Sequence, residues 1–113
     1  MEAPELQNDP ILAEIVRRLV EAYQPERVYL FGSHARGEAG PDSDYDLMVV
    51  VPDTAPSPLR QSDRGYKALL GLKGKATAAD ILVWTRENFE KRLHLKASLP
   101  STIIREGRLL HGA

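Results

Sequence analysis

Two aspartates, Asp44 and Asp46, stand at alternate positions and run straight into the apolar stretch LMVVV. Alternate side chains of a strand share a face, so a strand over 44–51 puts both carboxylates on one side, with Cα atoms ~6.5–7 Å apart along the chain. Carboxylates placed this way resist joint ionisation unless a cation lies between them. Such a pair suits Mg²⁺, which combines one or two carboxylates with water and substrate phosphates. Two such ions, ~3.5–4 Å apart, clamp the attacking and leaving oxygens of a phosphoryl centre. A bare Asp-x-Asp at a strand end reads first as two solvated acids, and only its surroundings shift the balance.

Those surroundings begin with Gly32 and Ser33, which follow directly on the short strand RVYLF, Arg27 to Phe31, and open a helical turn over Ser33 to Arg36. A strand running into a helix start presents free backbone N–H groups that suit phosphate. Gly32 lets the backbone approach closely, Ser33 adds a hydroxyl and Arg36 a guanidinium. A Gly-Ser pair alone is a capped turn. Asp80, near the head of ADILVWT, is the candidate third acid, for general-base work or further metal binding. On position alone it is equally a polar strand end. If its strand neighbours that of Asp44 and Asp46, the acids converge at one edge of the sheet. Other templates fail. Glu38 stands where a Walker loop needs lysine. Leu47 and Asp53 stand where a calcium loop needs glycine and glutamate. His34, His94 and His111 show no metal spacing, and His34 either lines the phosphate site or, more simply, is an exposed loop histidine.

The elements that must hold these residues are legible in outline. Asn8 or Asp9 caps a helix with Pro10 in its first turn and apolar residues at helical spacing as far as Tyr23. Pro52 ends the strand 44–51, and 60–72 has a helical pattern with Tyr66, Leu69 and Leu70 inward. A third strand covers Ala79 to Thr85. Thr85 caps a helix from Arg86 to Leu93, and Pro100 starts another through Glu106. Gly107 stops it, and 108–111 adds a short edge strand. The alternation gives an α/β (α+β) layer: a small mixed sheet of three to four strands flanked by helices.

Bulk properties bound the function. The 113 residues suit one domain, 1–113, and the net charge of -1 offers no bulk attraction to nucleic acid or membrane. There is no cysteine, so disulfides and thiolate chemistry are excluded. No apolar run approaches the ~20 residues that span a bilayer, and the acidic start MEAPELQNDP has no signal-peptide pattern, which points to the cytoplasm.

GSHARGEAGPDSDYDL resembles the signature of the minimal nucleotidyltransferases of the DNA polymerase β-like superfamily: Gly-Ser, ten residues, then Asp-x-Asp. The ARG triplet, SDYDL, the later Asp-led apolar strand and the closing EGRLLHG are similar to forms frequent in that family. The resemblance implies a polymerase β-like fold. It implies that Asp44 and Asp46 hold Mg²⁺, with Asp80 as the third carboxylate of a two-ion site, and that Gly32 and Ser33 grip the triphosphate of ATP. The reaction implied is attack of an acceptor hydroxyl on the α-phosphate, releasing pyrophosphate. The family also implies a partner: a separately encoded helical HEPN protein, often a ribonuclease toxin, silenced by AMP placed on a tyrosine. Direct nucleic-acid binding is not expected, and homo- or hetero-oligomers are compatible with the pattern.

Phe89, Leu93, Leu95, Leu99, Ile103 and Ile104 offer a docking surface or, more simply, the cover of the sheet. Arg60, Arg64, Lys67, Lys73 and Lys75 form a loose basic group that reads as a solvated helix face. Two other functions compete with catalysis on a protein. One is an antitoxin that works by contact alone. The other is a small-molecule transferase of aminoglycoside type, against which the lack of room for an acceptor domain counts.

Overall fold

A computed structural model describes residues 4–40, 44–55 and 79–112. Two helices, α1 (Pro4–Asn8) and α2 (Pro10–Tyr23), precede strand β1 (Arg27–Phe31). A single-turn helix α3 (Gly32–Arg36), strand β2 (Tyr45–Val51) and strand β3 (Ala79–Thr85) follow. Helices α4 (Arg86–Glu90) and α5 (Leu99–Glu106) and the edge strand β4 (Arg108–His111) complete the order. The expected helix over 60–72, its inward residues and the basic group Arg60, Arg64, Lys67, Lys73 and Lys75 lie outside the described residues.

The strands form one mixed sheet in the order β3-β2-β1-β4. β1 pairs antiparallel with β2 and with β4, while β2 and β3 run parallel. β2 is a near-continuous apolar run because both its faces are covered. Leu47, Val49 and Val51 join Val28, Leu30, Ala79 and Ile81 under α2. Met48 and Val50 pack on the opposite face with Tyr29, Phe89 and Ile103. The Tyr29 and Phe89 rings stack there at 5.5 Å, tying α4 to the sheet. A strand buried on both sides has little freedom to slip, since a one-residue shift would reverse every side chain. The acids at its head are held accordingly.

α2 forms where its pattern predicts. Leu12, Ile15, Val16, Leu19 and Tyr23 make its buried stripe, Asp9 is the N-cap, and Pro10 enters the first turn. Asp9 does two jobs. Its Oδ1 accepts from the Leu12 N–H at 3.1 Å, and its Oδ2 accepts from the Tyr45 hydroxyl at 2.7 Å. Burial, and then the bond to Asp9, holds the Tyr45 phenol far above its ordinary pKa. Asp9 thus ties the start of α2 to the residue between Asp44 and Asp46. Asp9→Ala is expected to destabilise the protein by about 1–3 kcal/mol, measured by urea unfolding, because it removes a cap and leaves the buried Tyr45 hydroxyl without its acceptor.

Three elements differ from expectation. α1 has no counterpart in the sequence reading, yet its Leu6 is buried. α4 stops at Glu90 rather than Leu93, because the residues beyond have no apolar face to bury: 91–97 are all exposed. β2 begins at Tyr45, so Asp44 precedes the strand instead of opening it. Of the apolar residues weighed as a docking surface, Phe89 and Ile103 are core and Leu99 packs against it, whereas Leu93, Leu95 and Ile104 are exposed. Among the described residues no helix is long and apolar enough to cross a membrane.

Candidate active site

The site is built where β1 hands over to α3 beside the head of β2. Phe31, the last residue of β1, pairs with Asp46. The next residue, Gly32, therefore lies alongside the Asp46 side chain. Its φ is +72°, in the left-handed region that favours glycine. A Cβ built at Gly32 would collide with Asp46 Oδ2 and sit 3.1 Å from its Cγ. Glycine is required here twice, for its backbone angle and for the space it leaves to a carboxylate.

Across the sheet Asp46 pairs with Asp80 in the parallel ladder. Register partners on neighbouring strands face the same way at ~4.8 Å spacing, so these two carboxylates are neighbours. Asp44, one alternation ahead of Asp46, lies just outside the strand and is exposed. The effect of this grouping is visible on Asp46. Burial raises its pKa, and the charges of Asp80 and Asp44 raise it further, while His34 and Arg36 pull the other way. The head of the sheet is therefore a place where negative charge is held at a cost and positive charge is wanted. Among the described residues, no three His, Cys, Asp or Glu side chains are gathered closely enough to hold a metal ion by themselves. The acids converge without forming a closed protein cage.

Helix α3 carries the remaining candidates. Glu38 N–H donates to the Ser33 carbonyl at 2.9 Å, which fixes the turn that Gly37 closes. Arg36 pairs with Glu38 at 3.2 Å on the surface. It is close enough to Asp46 to lower that group's pKa, although Glu38 holds its guanidinium. His34 is not the exposed loop histidine of the sequence reading. It is half-buried in α3 and stacks on Tyr45 with ring centroids 4.4 Å apart. His34, Tyr45 and Asp9 form a line of support running from α3 through β2 to the start of α2. Sequence reasoning missed Tyr45 as a positioning residue. The available signal was a large hydroxyl-bearing side chain between two acids, on the face opposite to them.

The comparisons with known proteins bear on the family and the fold. Residues 11–110 match the nucleotidyltransferase domain family. A protein from Thermococcus cleftensis, named protein adenylyltransferase MntA, is 30% identical over 100 residues, covering 87% of each chain. A solved structure from Sulfolobus solfataricus, assigned as a nucleotidyltransferase, superposes with a TM-score of 0.56 at 20% identity, over 88% of this chain and 76% of that one. A toxin–antitoxin structure with AMP-PNP superposes with a TM-score of 0.54 at 23% identity, over 88% and 72%. At these identities the two structures speak for the fold. The mixed sheet, the Gly-Ser turn packed against Asp46 and the family match over most of the chain lead to one assignment: this protein belongs to the nucleotidyltransferase domain family and is a nucleotidyltransferase.

Proposed function

We propose that the chain is a Mg²⁺-dependent protein adenylyltransferase that moves AMP from ATP to a hydroxyl of a separately encoded toxin, and so acts as the antitoxin of a pair in the cytoplasm. The acceptor in this reading is a tyrosine of a HEPN-domain protein. The observation that carries it is the contact of Gly32 with Asp46 while Asp46 pairs with Asp80. A turn suited to phosphate, a half-buried carboxylate and a second carboxylate at neighbouring positions support this reading. The Thermococcus relative, named a protein adenylyltransferase, supports the reaction. The toxin–antitoxin structures of the same fold, one of them with AMP-PNP, support the setting.

The donor set fits Mg²⁺. All of it is oxygen, and the raised pKa of Asp46 marks a carboxylate that a cation would relieve. Mg²⁺ commonly takes one or two carboxylates and completes its shell with water and substrate phosphates, so an open group of acids suits it. Asp44 and Asp46 would hold it, with Asp80 at the edge of the same group. When bound, the metal supplies stabilisation of charge on the triphosphate oxygens.

The chain's own residues do the rest. The first-turn amides at Gly32 and Ser33 have no intrahelical partners and receive the β- and γ-phosphates, with the Ser33 hydroxyl beside them. Asp80 accepts the proton of the acceptor hydroxyl. The hydroxyl oxygen bonds to the α-phosphorus, the bond from that phosphorus to the bridging oxygen of the β-phosphate breaks, and pyrophosphate leaves. Arg36 screens the charge around Asp46.

The test is co-expression of the toxin with wild type or with the double variant Asp44→Asn, Asp46→Asn, alongside transfer of label from α-³²P-ATP. Loss of both transfer and neutralisation is the expected result. Undiminished neutralisation by the double variant would show that contact, not AMP, silences the toxin.

A further inference from the structure

The face of the sheet that carries Asp46 and Asp80 continues along β3 as Leu82 and then Trp84, since every second side chain shares a face. In register these pair with Met48 and Val50 of β2. Met48 is fully buried, whereas Leu82 is 36% exposed: the cluster of Phe89 and Ile103 reaches Trp84 on β3 but leaves Leu82 in the open. A single leucine so exposed needs no explanation. Its position does, because it lies one alternation from Asp80 on the uncovered side of the site. At the far end of the same row, the Arg92 guanidinium lies over the Trp84 ring at 5.8 Å. Arg92 has no carboxylate partner among the described residues. A cavity of about 280 Å³ opens beside it, lined by Trp84, Asn88 and Arg92 with Val83 and Thr85.

The two sides of the site have different neighbours. Gly32 and Ser33 lie on the β1 side of Asp46, and β3 lies on the other side. With the triphosphate on the β1 side, the acceptor reaches Asp80 over β3. An extended chain rises ~3.3 Å per residue, so the row from Asp80 to Trp84 spans about four residues, ~13 Å. Resting on the transferase reading above, we propose that Asp80, Leu82, Trp84 and Arg92 form an acceptor track for an extended polypeptide. The chain it takes has its hydroxyl residue at Asp80, an apolar residue two places along against Leu82, and an acidic residue four places along at Arg92. Charge complementarity fixes the occupant's acid. The guanidinium, already stacked on an aromatic face, is set to receive a carboxylate, and the cavity beside it has room for one.

The experiment uses three synthetic seven-residue peptides as acceptors, with α-³²P-ATP and Mg²⁺. The matched peptide has tyrosine second, leucine fourth and glutamate sixth. The second has lysine in place of glutamate, and the third has leucine moved to position three. Wild type is expected to label the matched peptide with a kcat/KM about tenfold above either other peptide. Arg92→Glu should transfer the preference to the lysine peptide, and Leu82→Ser should raise KM for the matched peptide with kcat held. The rise in melting temperature on adding ATP and Mg²⁺ should be the same in all three proteins. Equal labelling of the peptides, or none, by protein that still shows the ATP-induced rise overturns the track and leaves the transferase reading standing. No ATP-induced rise and no labelled acceptor of any kind overturns both.

Discussion

Asp46→Asn is expected to abolish nucleotidyl transfer and, in the same molecule, to raise the melting temperature of the metal-free protein. The two effects have one origin. Asp46 is half-buried at the head of a strand whose every other residue is buried, and it faces Asp80 across the ladder. Burial first, then the charges of Asp80 and Asp44, raise its pKa above the ordinary carboxylate value. Folding therefore disfavours the ionised form that the chain carries at neutral pH. Asparagine keeps the shape and removes the charge, so the fold loses a penalty and the site loses the charge that would draw a cation. Transfer should fall by at least about 10²- to 10³-fold, the scale on which a preorganised electrostatic group is missed. A stabilising change that destroys activity is the usual sign of a site assembled against the preference of the fold.

The pH dependence gives this expectation its sign. A carboxyl whose folded pKa is raised contributes stability that is present below its unfolded value and is lost as pH rises through the folded value. Wild type thus bears the penalty where Asp46 is ionised in the folded state and none once it is protonated in both states. Melting curves in chelator should show Asp46→Asn above wild type at neutral pH, with the gap closing as pH falls toward the unfolded carboxylate value. Adding Mg²⁺ at pH 7 should raise wild type and leave the variant unmoved. A variant that melts below wild type at every pH would mean that Asp46 serves packing and not charge.

How much of this was visible in the sequence follows from which forces act locally. β2 and β3 were legible because runs of β-branched and apolar residues bounded by proline or polar residues have few other fates. α2 was legible from its cap, its proline and its stripe. The place of Gly32 before a helical turn was legible too, as a glycine between a strand and the short helical pattern of Ser33 to Arg36. The parallel register was not. The sequence sets Asp80 beside Asp44, each near the head of its strand, but the ladder sets it against Asp46. Strand pairing is decided by burial on both faces, which no single segment reports. α1 was illegible because five residues hold no period, and its one buried residue, Leu6, is fixed only by packing. His34 was misread for a similar reason. A histidine after Gly-Ser looks exposed until Tyr45, eleven residues on, comes under its ring.

The partners of Asp9 show why such residues matter to the chemistry without touching it. Asp9 caps α2, holds the Tyr45 hydroxyl and through Tyr45 supports His34. Tyr45 points away from Asp46, into the core under α2. The carboxylate face is thus fixed by what its neighbour does on the opposite face. Positions held this tightly are the ones where a small displacement is costly, and the approach of Gly32 to Asp46 is the tightest of them.

Gly32→Ala is therefore expected to damage both fold and activity, and Gly37→Ala separates the two causes. Both glycines have left-handed backbone angles, +72° and +74°. An alanine at either costs about 1–2 kcal/mol for the angle alone. The surroundings differ. A Cβ at Gly37 meets nothing within 4 Å, whereas a Cβ at Gly32 enters the space of the Asp46 carboxylate. Gly37→Ala should show the backbone penalty by itself in urea unfolding, with transfer rates near wild type. Gly32→Ala should be less stable than Gly37→Ala, and on the proposed role of Asp46 its transfer rate should fall about 10²-fold or more, because displacing a reacting group by an ångström is enough for that. Adding Asp46→Ala to Gly32→Ala should recover the excess instability, since the collision needs both side chains, and should recover no activity. Equal instability of the two single alanine variants would mean that the Asp46 carboxylate moves aside freely. The turn would then act as a backbone bend alone, without setting the position of the acid beside it.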